Sequence, residues 1–413
     1  MPLSSLSKSI ICMVLALNLA ACSYFLPNTT PTLGGLLASK GDTRPFEVPL
    51  PVNTEPKRMA LSSEFTIGVK ADGTVWGWGS GTEGELGMGK KENRPTPQAI
   101  PNMTNFIEVA AGNHHVLALR KDGTVWAWGN NEYGQLGYAT TKNYSAVPQQ
   151  VMGLKDIVSV SASSGHSLAL DKQGAVWGFG NNESSQLGLS PADNLPHTIP
   201  IKTWTRDDAV RVLATSSTSA VLTANGELYY WGAEFFIKDK AQTPHIPRKY
   251  QFPLPIADAA MSDAIYVLAT DGFVWAQANA NYSGRLGQGD LKGYDVPVKV
   301  KNIGRIKSIT AKTSSAIALD EKGRIWQWGE SVRYPRMLSV RHNIELLPVL
   351  VDRFPNAMSV ICKTANAVLL DNGEVYFWGR EIGGGRGTGK VRGHEQSSSK
   401  DWSVPEKSLW TWK

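Results

Sequence analysis

The clearest pattern along the chain is a short run in which large apolar and small residues alternate directly after a turn, and it occurs seven times. In the first copy, Trp76 and Trp78 fall on one side of an extended strand, while Val75 and Gly77 fall on the other. The turn glycines recur at intervals of 46 to 52 residues, and they are Gly73, Gly123, Gly174, Gly226, Gly272, Gly323 and Gly373. A nearly fixed period of this length indicates a solenoid, a propeller or an array.

Each turn predicts a β-hairpin. Asp or Asn precedes the glycine in five of the seven copies, and such a pair between apolar runs favours a tight turn because glycine adopts positive φ at little cost. An apolar run such as Ile107–Leu119 precedes the turn, and a proline-marked run such as Val147–Val151, suited to an edge strand, follows it. The repeat therefore predicts an all-β fold, a seven-bladed β-propeller of four-stranded antiparallel blades.

The repeat resembles that of the regulator of chromosome condensation family. The resemblance is carried by an Ala-Ala-Gly-x-x-His segment at 110–115, the Gly-x-Val-x-x-Trp-Gly turn and an Asn-x-x-Gly-Gln-Leu-Gly loop at 131–137. It covers residues 58 to 410 and implies a seven-bladed propeller. It implies no single function, because this fold hosts exchange factors, enzyme inhibitors, ubiquitin-pathway modules and sensors. Blades five and seven keep less of the pattern, and Gln277-Ala278 replaces Trp-Gly in the fifth.

The two ends of the chain must meet if the repeats form a ring. The C-terminal run Trp402–Leu409 matches the proline-marked strands, whereas the first repeat, which begins near Arg58, has no clear strand of that kind. We therefore expect the C-terminal strand to pair into blade one and close the ring.

The first residues are typical of an exported protein. Lys8 is followed by the apolar stretch Ile10–Leu19, which is too short to span a membrane. The sequence Leu19-Ala20-Ala21-Cys22 resembles the bacterial lipoprotein box, and this resemblance implies that Cys22 is acylated. By the same resemblance, Ser23 favours the outer membrane. The expected location is the bacterial cell envelope, with a lipid anchor.

Three segments follow from these patterns. We expect a lipoprotein signal peptide at 1–21, a flexible tether rich in Pro, Thr and Gly at 22–57, and the propeller at 58–413. The formal net charge of +6 over 413 residues is weak evidence for a polyanionic partner, so no nucleic acid is expected. Cys12 leaves with the signal peptide and Cys22 is the acylation site, so Cys362 remains as a buried, apolar thiol.

Motifs that carry chemistry are weak in this chain. Gly384–Lys390 has the spacing of a phosphate-binding loop, but Val391 occupies the position of the magnesium-binding Ser or Thr. His114, His115 and His166 occupy matching places in two repeats, where hydrogen bonding at a strand junction is favoured over metal binding because neighbouring blades hold them apart. We therefore predict no catalytic residue, no metal and no cofactor.

The candidate binding residues lie where the chain departs from its own repeat. Loops carry function on a rigid scaffold, and Tyr, Trp and Arg are enriched in interface hot spots. The departures are residues 190–208, 233–255 and 331–354, and their candidate side chains are Trp204, Phe235, Phe236, Arg248, Tyr250, Arg333, Tyr334 and Arg336. The alternative is that these stretches are only long connections with an aromatic side chain tucked beneath them.

Three functions are compatible with these patterns. The first is a monomeric, membrane-anchored, non-catalytic module that binds a protein or an envelope polymer through propeller loops. The second is a hydrolase or lyase acting on envelope glycan or peptide at the channel mouth, since residues of a dispersed active site leave no local motif. The third, by resemblance to a secreted inhibitor built on this repeat, is an inhibitor of a secreted enzyme. Carboxylates or histidines converging at the channel mouth favour an enzyme, whereas an aromatic and arginine patch favours a binder.

Overall fold

The computed structural model describes residues 53–233, 245–331, 343–351, 353–379, 385–389 and 405–413. Within these residues the secondary structure is all β, in seven antiparallel sheets of four strands each. First strands of neighbouring blades contact each other around the ring, and β1 (Met59–Leu61) also contacts β25 (Ala357–Cys362). The chain is therefore a closed seven-bladed propeller, as the repeat predicts.

Each blade is one continuous meander. Blade one contains β1, β2 (Phe65–Val69), β3 (Val75–Gly79) and β4 (Arg94–Ala99). Blade two contains β5 (Phe106–Ala111), β6 (His115–Arg120), β7 (Val125–Asn130) and β8 (Tyr144–Gln150). Blade three contains β9 (Ile157–Ala162), β10 (His166–Asp171), β11 (Val176–Asn182) and β12 (Asp193–Trp204).

The remaining blades follow the same order. Blade four contains β13 (Ala209–Ala214), β14 (Thr218–Thr223), β15 (Leu228–Gly232) and β16 (Arg248–Lys249). Blade five contains β17 (Ile256–Met261), β18 (Ile265–Ala269), β19 (Val274–Ala278) and β20 (Tyr294–Lys299). Blade six contains β21 (Ile306–Lys312), β22 (Ser315–Asp320), β23 (Ile325–Ser331) and β24 (Asn343–Val351). Blade seven contains β25, β26 (Ala365–Leu370), β27 (Val375–Gly379) and β28 (Glu406–Lys407).

The predicted hairpin turns form at all seven positions between the second and third strands. Their glycines have φ between 73° at Gly226 and 93° at Gly373, a conformation that glycine adopts without the clash of a Cβ. In blade one, the Thr74 amide also donates to Asp72 Oδ1 at 2.9 Å, which is the short Asx turn expected of an Asp-Gly sequence.

In five of the seven blades, a tryptophan at the fourth position of the third strand binds two blades together. Trp128 is fully buried in a cluster that includes Ile67 and Leu86 of blade one and Val116 of its own blade. Its indole Nε1 donates to the Glu85 carbonyl of blade one at 2.6 Å. Equivalent bonds join Trp231 to Gln186 O at 3.0 Å, Trp328 to Arg285 O at 2.7 Å and Trp78 to Gly385 O at 2.8 Å. The aromatic side of the motif therefore stacks sheet on sheet, as its alternation predicts.

Blade five keeps four strands although Gln277 replaces the tryptophan. The Gln277 side-chain oxygen accepts from Tyr250 Oη at 2.7 Å, and its amide nitrogen donates to Asp295 O at 2.6 Å. A buried amide that is bonded on both sides costs little, so the departure changes the bonding and leaves the blade intact.

The predicted pairing of the C-terminal strand with blade one is wrong. β28 pairs with β27, where Tyr376 faces Lys407, and so completes blade seven. The physical reason is that blade one already has its four strands between Met59 and Ala99. The residues after β28 then contact blade one, where the Ala71 amide donates to the Trp412 carbonyl at 2.8 Å.

Candidate binding site

The two faces of the propeller carry different connections. The hairpin turns lie on one face, here named the turn face, together with the links from each fourth strand to the next blade. The Ile157 amide that begins β9, for example, donates to the Gly123 carbonyl at 3.1 Å. Because antiparallel strands alternate in direction, the other face carries the turns between first and second strands and the connections between third and fourth strands. We name it the loop face.

The three stretches that depart from the repeat each include part of a connection between a third and a fourth strand. These connections start at Asn182, Gly232 and Ser331, which are the last residues of β11, β15 and β23. All three therefore begin on the loop face.

Short polar side chains surround the channel mouth on the loop face. They come from the turns between first and second strands, and several of them bond across blades. Ser62 Oγ donates to the Asn113 carbonyl at 2.7 Å, and Asn113 Nδ2 donates to Ser164 Oγ at 3.2 Å. Thr364 Oγ1 bonds Ser63 Oγ at 3.0 Å, which joins blades seven and one. The mouth is thus a rim of hydroxyl and amide groups able to bond polar ligands.

The ring encloses a central channel of about 1730 Å³, lined by the first strands of all seven blades. Residues 53–57, here named the crossing segment, extend across this channel. The Asn53 amide donates to the Ala257 carbonyl of blade five at 2.8 Å, and the Lys57 carbonyl accepts from Val109 of blade two at 2.9 Å. Ala257 follows Ile256, whose amide donates to the carbonyl of Gly226 in the hairpin turn of blade four. The crossing segment therefore begins near the turn face.

One polar or charged residue interrupts each of four adjacent first strands at the same position. Glu108 Oε1 accepts from Ser159 Oγ of the next blade at 3.0 Å. Arg211 of blade four forms an ion pair with Asp258 of blade five, and Asn53 Nδ2 donates to Asp258 Oδ2 at 3.0 Å. Burial raises the pKa of Glu108, although its bonds to Val160 and Ser159 oppose that shift. These four residues form a polar belt through neighbouring blades, and Arg211 and Asp258 of this belt line the channel.

Two buried histidines link neighbouring blades on the loop-face side. Ser167 Oγ donates to the Gln135 carbonyl at 2.7 Å, so it accepts from His115 Nε2 at 2.9 Å. His166 and Ser219 repeat the arrangement one blade further, at 3.1 Å. Burial lowers the pKa of His115 to about 3 and that of His166 to about 4. The predicted hydrogen-bonding role of these histidines is confirmed, and both imidazoles are neutral at pH 7.

Not all of the sequence-predicted binding residues lie on the surface. Trp204 is 4% exposed and stacks on Trp231 with ring centroids 6.3 Å apart. Tyr250 is also 4% exposed and bonds Gln277, whereas Arg248 is half-buried in β16. Phe235, Phe236, Arg333, Tyr334 and Arg336 lie outside the described residues. The structure thus places Trp204 and Tyr250 in the core, and the role of the loops as a binding surface stays a prediction.

The proposed lipidation site, Cys22, also lies outside the described residues. Within them, no helix is both long and apolar enough to cross a membrane, and no group of three or more His, Cys, Asp or Glu could hold a metal ion. Cys362 is buried at 4% exposure in the core of blades six and seven, as expected, and burial raises the pKa of its thiol.

The channel residues Lys57, Arg211 and Asp258 were not predicted from the sequence. The available signal is a charge inside an otherwise apolar first strand, as in Ala209–Ala214 and Ile256–Met261. A charge of this kind is costly to bury without a partner. Their convergence depends on blades that are neighbours in the ring, and Lys57 comes from a segment that has no repeat pattern at all.

The described geometry defines a class of protein: a closed seven-bladed β-propeller assembled from a repeat of about fifty residues, with a polar channel mouth. Models of the regulator of chromosome condensation (RCC1) repeat match residues 72–119 and 122–170, and a second model of that repeat matches 106–135 and 157–186. Residues 72–186 therefore carry copies of this repeat.

The similar curated proteins have diverse names. The chain is 25% identical over 258 residues to the human E3 ubiquitin-protein ligase HERC2, an alignment that covers 56% of this chain and 5% of the ligase. It is 27% identical over 235 residues to the mitochondrial RCC1 domain-containing protein RUG3 of Arabidopsis thaliana, with 52% of each chain covered. The chain therefore spans about half the length of RUG3 and far less of the ligase.

Two solved structures show the same fold. The crystal structure of human WBSCR16 has a TM-score of 0.69 at 20% identity, covering 81% of this chain and 94% of that chain. Yeast RCC1 (Prp20), in its crystal structure with Kap60, has a TM-score of 0.69 at 19% identity, covering 92% and 91%. A further structure, of Prp20p from Saccharomyces cerevisiae, has a TM-score of 0.67 and is described together with binding of Prp20p to Gsp1p and histones.

Proposed function

We propose that this chain is a non-catalytic, protein-binding propeller, tethered to the cell envelope through acylated Cys22, whose loop face receives the partner. The observation that carries this proposal is the separation of the two faces. The crossing segment begins near the turn face at Asn53, while the connections that depart from the repeat begin on the loop face. We therefore assign partner contact to the loop face.

The similar proteins support a binding role. The relatives include a G exchanging factor-like protein of Mus musculus, 25% identical over 262 residues, and the Prp20 structures are described with Kap60, Gsp1p and histones. Those partners belong to those proteins. What carries over to this chain is the use of a propeller of this repeat as a platform for protein contacts.

Two of the four carboxylates that line the channel also favour a binder. Asp263 Oδ2 lies 3.4 Å from Arg285 Nη1, and Asp258 forms an ion pair with Arg211 deeper in the channel. A general acid and base need carboxylates free to exchange protons with a substrate. Both of these are instead held by guanidinium groups.

The anchor is tested by fractionating cells that express the full chain or its Cys22→Ala variant. We expect the wild-type chain in the membrane fraction and the variant in the soluble fraction, because the variant lacks the residue that carries the anchoring acyl chains. Metabolic labelling with a fatty acid analogue checks acylation directly. A variant that remains in the membrane fraction contradicts the anchor.

The binding face is tested by affinity capture from detergent-solubilised envelopes. The full chain is compared with a Phe235→Ser, Phe236→Ser variant and with a turn-face control, Lys155→Gln, whose side chain is 90% exposed. Tyr250 is not substituted, because it is buried and bonded to Gln277. We expect the loop variant to lose partners that the control retains. Equal capture by all three chains excludes these loop residues as the binding surface.

A further inference from the structure

The charges that line the central channel are unbalanced. Seven basic and four acidic side chains face it. Two of the acids are already neutralised within the wall, Asp258 by Arg211 and Asp263 by Arg285. The channel therefore holds an excess of positive charge inside walls of low polarisability, where a charge interacts more strongly than in bulk water.

Lys57, Lys312 and Lys363 contribute three of these positive charges. Among the described residues, no carboxylate oxygen lies within 4.0 Å of the Nζ atom of Lys57, Lys312 or Lys363. Lys57 is on the crossing segment, while the other two are on blades six and seven at the loop-face end. Glu108 is the acid whose charge favours the ammonium form of Lys57, but its Oε1 is occupied by Ser159 and by the Val160 amide.

The electrostatics of these amines agree with the geometry. The Lys57 side chain is exposed to the channel lumen, yet protein surrounds that lumen. This enclosure lowers the pKa of Lys57, and the charges of Arg211 and Lys363 lower it further. Burial likewise lowers the pKa of Lys363. Lys57 therefore lies near other positive charges in a place with little solvent to screen them.

The shape of the channel favours a chain-like ligand that enters from the loop face. Its volume of about 1730 Å³ exceeds the 300 to 1,000 Å³ typical of small-molecule pockets. The crossing segment lies across the turn-face side, between blades five and two. At the loop-face mouth, hydroxyl and amide groups such as Ser63, Asn113 and Thr313 line the channel, and such groups bond peptide N–H and C=O groups.

We propose that the protein partner inserts an acidic peptide segment into the channel through the loop face, and that its carboxylates pair with Lys57, Lys312 and Lys363. This inference rests on the proposed function, since it specifies the chemistry of the partner at the same face. The hydroxyl rim contacts the peptide backbone, and the amines select carboxylate side chains. The same amines repel positive charge, so a basic segment is rejected.

The test is fluorescence anisotropy with the full chain and a labelled probe of glutamates spaced by glycine and serine. The matched probe carries glutamine in place of each glutamate. We expect the glutamate probe to bind, the glutamine probe not to bind, and binding to weaken as salt rises. The double variant Lys57→Gln, Lys363→Gln should weaken binding by at least about tenfold, as expected for charge pairs in an enclosed site. Lys155→Gln serves as the exposed control.

Thermal melting of each variant separates lost binding from lost folding; we expect no change, since both lysines face the lumen. Equal affinity for the two probes, or unchanged affinity of the double variant, overturns the inference. Envelope capture distinguishes this failure from failure of the proposed function. If the double variant still captures the partner that wild type captures, the protein-binding role stands and the acidic insertion is wrong. If wild type captures no partner while the glutamate probe binds as expected, the protein-binding role is wrong and the channel site stands alone.

Discussion

The interface between blades two and three and the interface between blades seven and one contain the same main-chain bonds, but only the first is joined by continuous chain. Between blades two and three, the Ile157 amide donates to Gly123 O at 3.1 Å and the Lys172 amide donates to Asp156 O at 2.9 Å. Between blades seven and one, Trp412 N donates to Gly373 O at 3.2 Å and the Ala71 amide donates to Trp412 O at 2.8 Å. The C-terminal tail thus occupies the place of an interblade link.

The two interfaces differ in the side chains that bind them. Blades two and three are joined by a buried histidine and serine, His115 and Ser167. Blades seven and one are joined by Trp410, whose ring lies 5.4 Å from that of Trp78 and fits against Gly68. A chain end has more conformational freedom to lose than an internal link. At the closing interface, the buried Trp410 side chain restrains that chain end.

Removal of residues 405–413 should destabilise the closing interface more than any other change. It deletes β28, leaves β27 as an unpaired edge and removes Trp410 from the closing interface. We expect a loss of more than about 5 kcal/mol in the free energy of unfolding, because an aromatic core side chain alone contributes about 3–5 kcal/mol. Denaturant unfolding measures it, with removal of Lys413 alone as the control. An unchanged unfolding midpoint means that the tail does not close the ring.

Trp410→Ala isolates the side chain from the strand. Trp410 is 2% exposed, so we expect a loss of about 3–5 kcal/mol in the free energy of unfolding. Leu409→Ala is the matched control, because the adjacent Leu409 is 66% exposed and should change stability by less than about 0.5 kcal/mol. The idea that this interface depends on buried aromatic area fails if the two variants are equally stable.

Acid should weaken the histidine interfaces and leave the tryptophan interface alone. In the folded chain, burial lowers the pKa of His115 to about 3 and that of His166 to about 4, whereas an unfolded histidine titrates near pH 6.5. Between these values the unfolded chain binds more protons, so stability rises with pH there and falls as the pH is lowered from about 6.5 to about 4.

The loss should reach roughly 2 kcal/mol per histidine by pH 5, since each pH unit below the unfolded pKa contributes about 1.4 kcal/mol. Unfolding measured across this range checks it, and a His115→Gln, His166→Gln variant should show a flatter profile. A variant whose profile retains the slope of the wild type places the acid-sensitive groups elsewhere.

Gly68→Ala tests how closely Trp410 fits against Gly68. Of these changes it has the smallest expected effect. A Cβ built at Gly68 lies 2.5 Å from Cζ2 of Trp410, so we expect overpacking to cost about 1–3 kcal/mol. In the Trp410→Ala background the same substitution should cost little, because the clashing ring is absent. Additive effects of the two substitutions in a double-mutant cycle would show that the two residues do not interact.

Much of the fold could be predicted from the chain because its determinants are local. The hairpin turns depend on glycines such as Gly123, and the burial of Trp128 depends on alternation within one strand. The blade that receives the C-terminal strand could not be predicted, because the repeat defines a period without defining where a blade begins. The burial of Trp204 and Tyr250 could not be predicted either, because an aromatic side chain in a connection is buried or exposed according to what packs beside it.

The sequence by itself determined the number of blades, the four-strand meander and the stacking side chains, because each copy carries its own turn and alternation. Only the tertiary structure decided which residues meet in the channel. Lys57, Arg211 and Lys363 come from the crossing segment, blade four and blade seven, and their charges act on one another only once the ring is closed. Contacts within a blade are set by neighbours in sequence. Contacts across the channel form only when seven packed sheets curve into a closed ring.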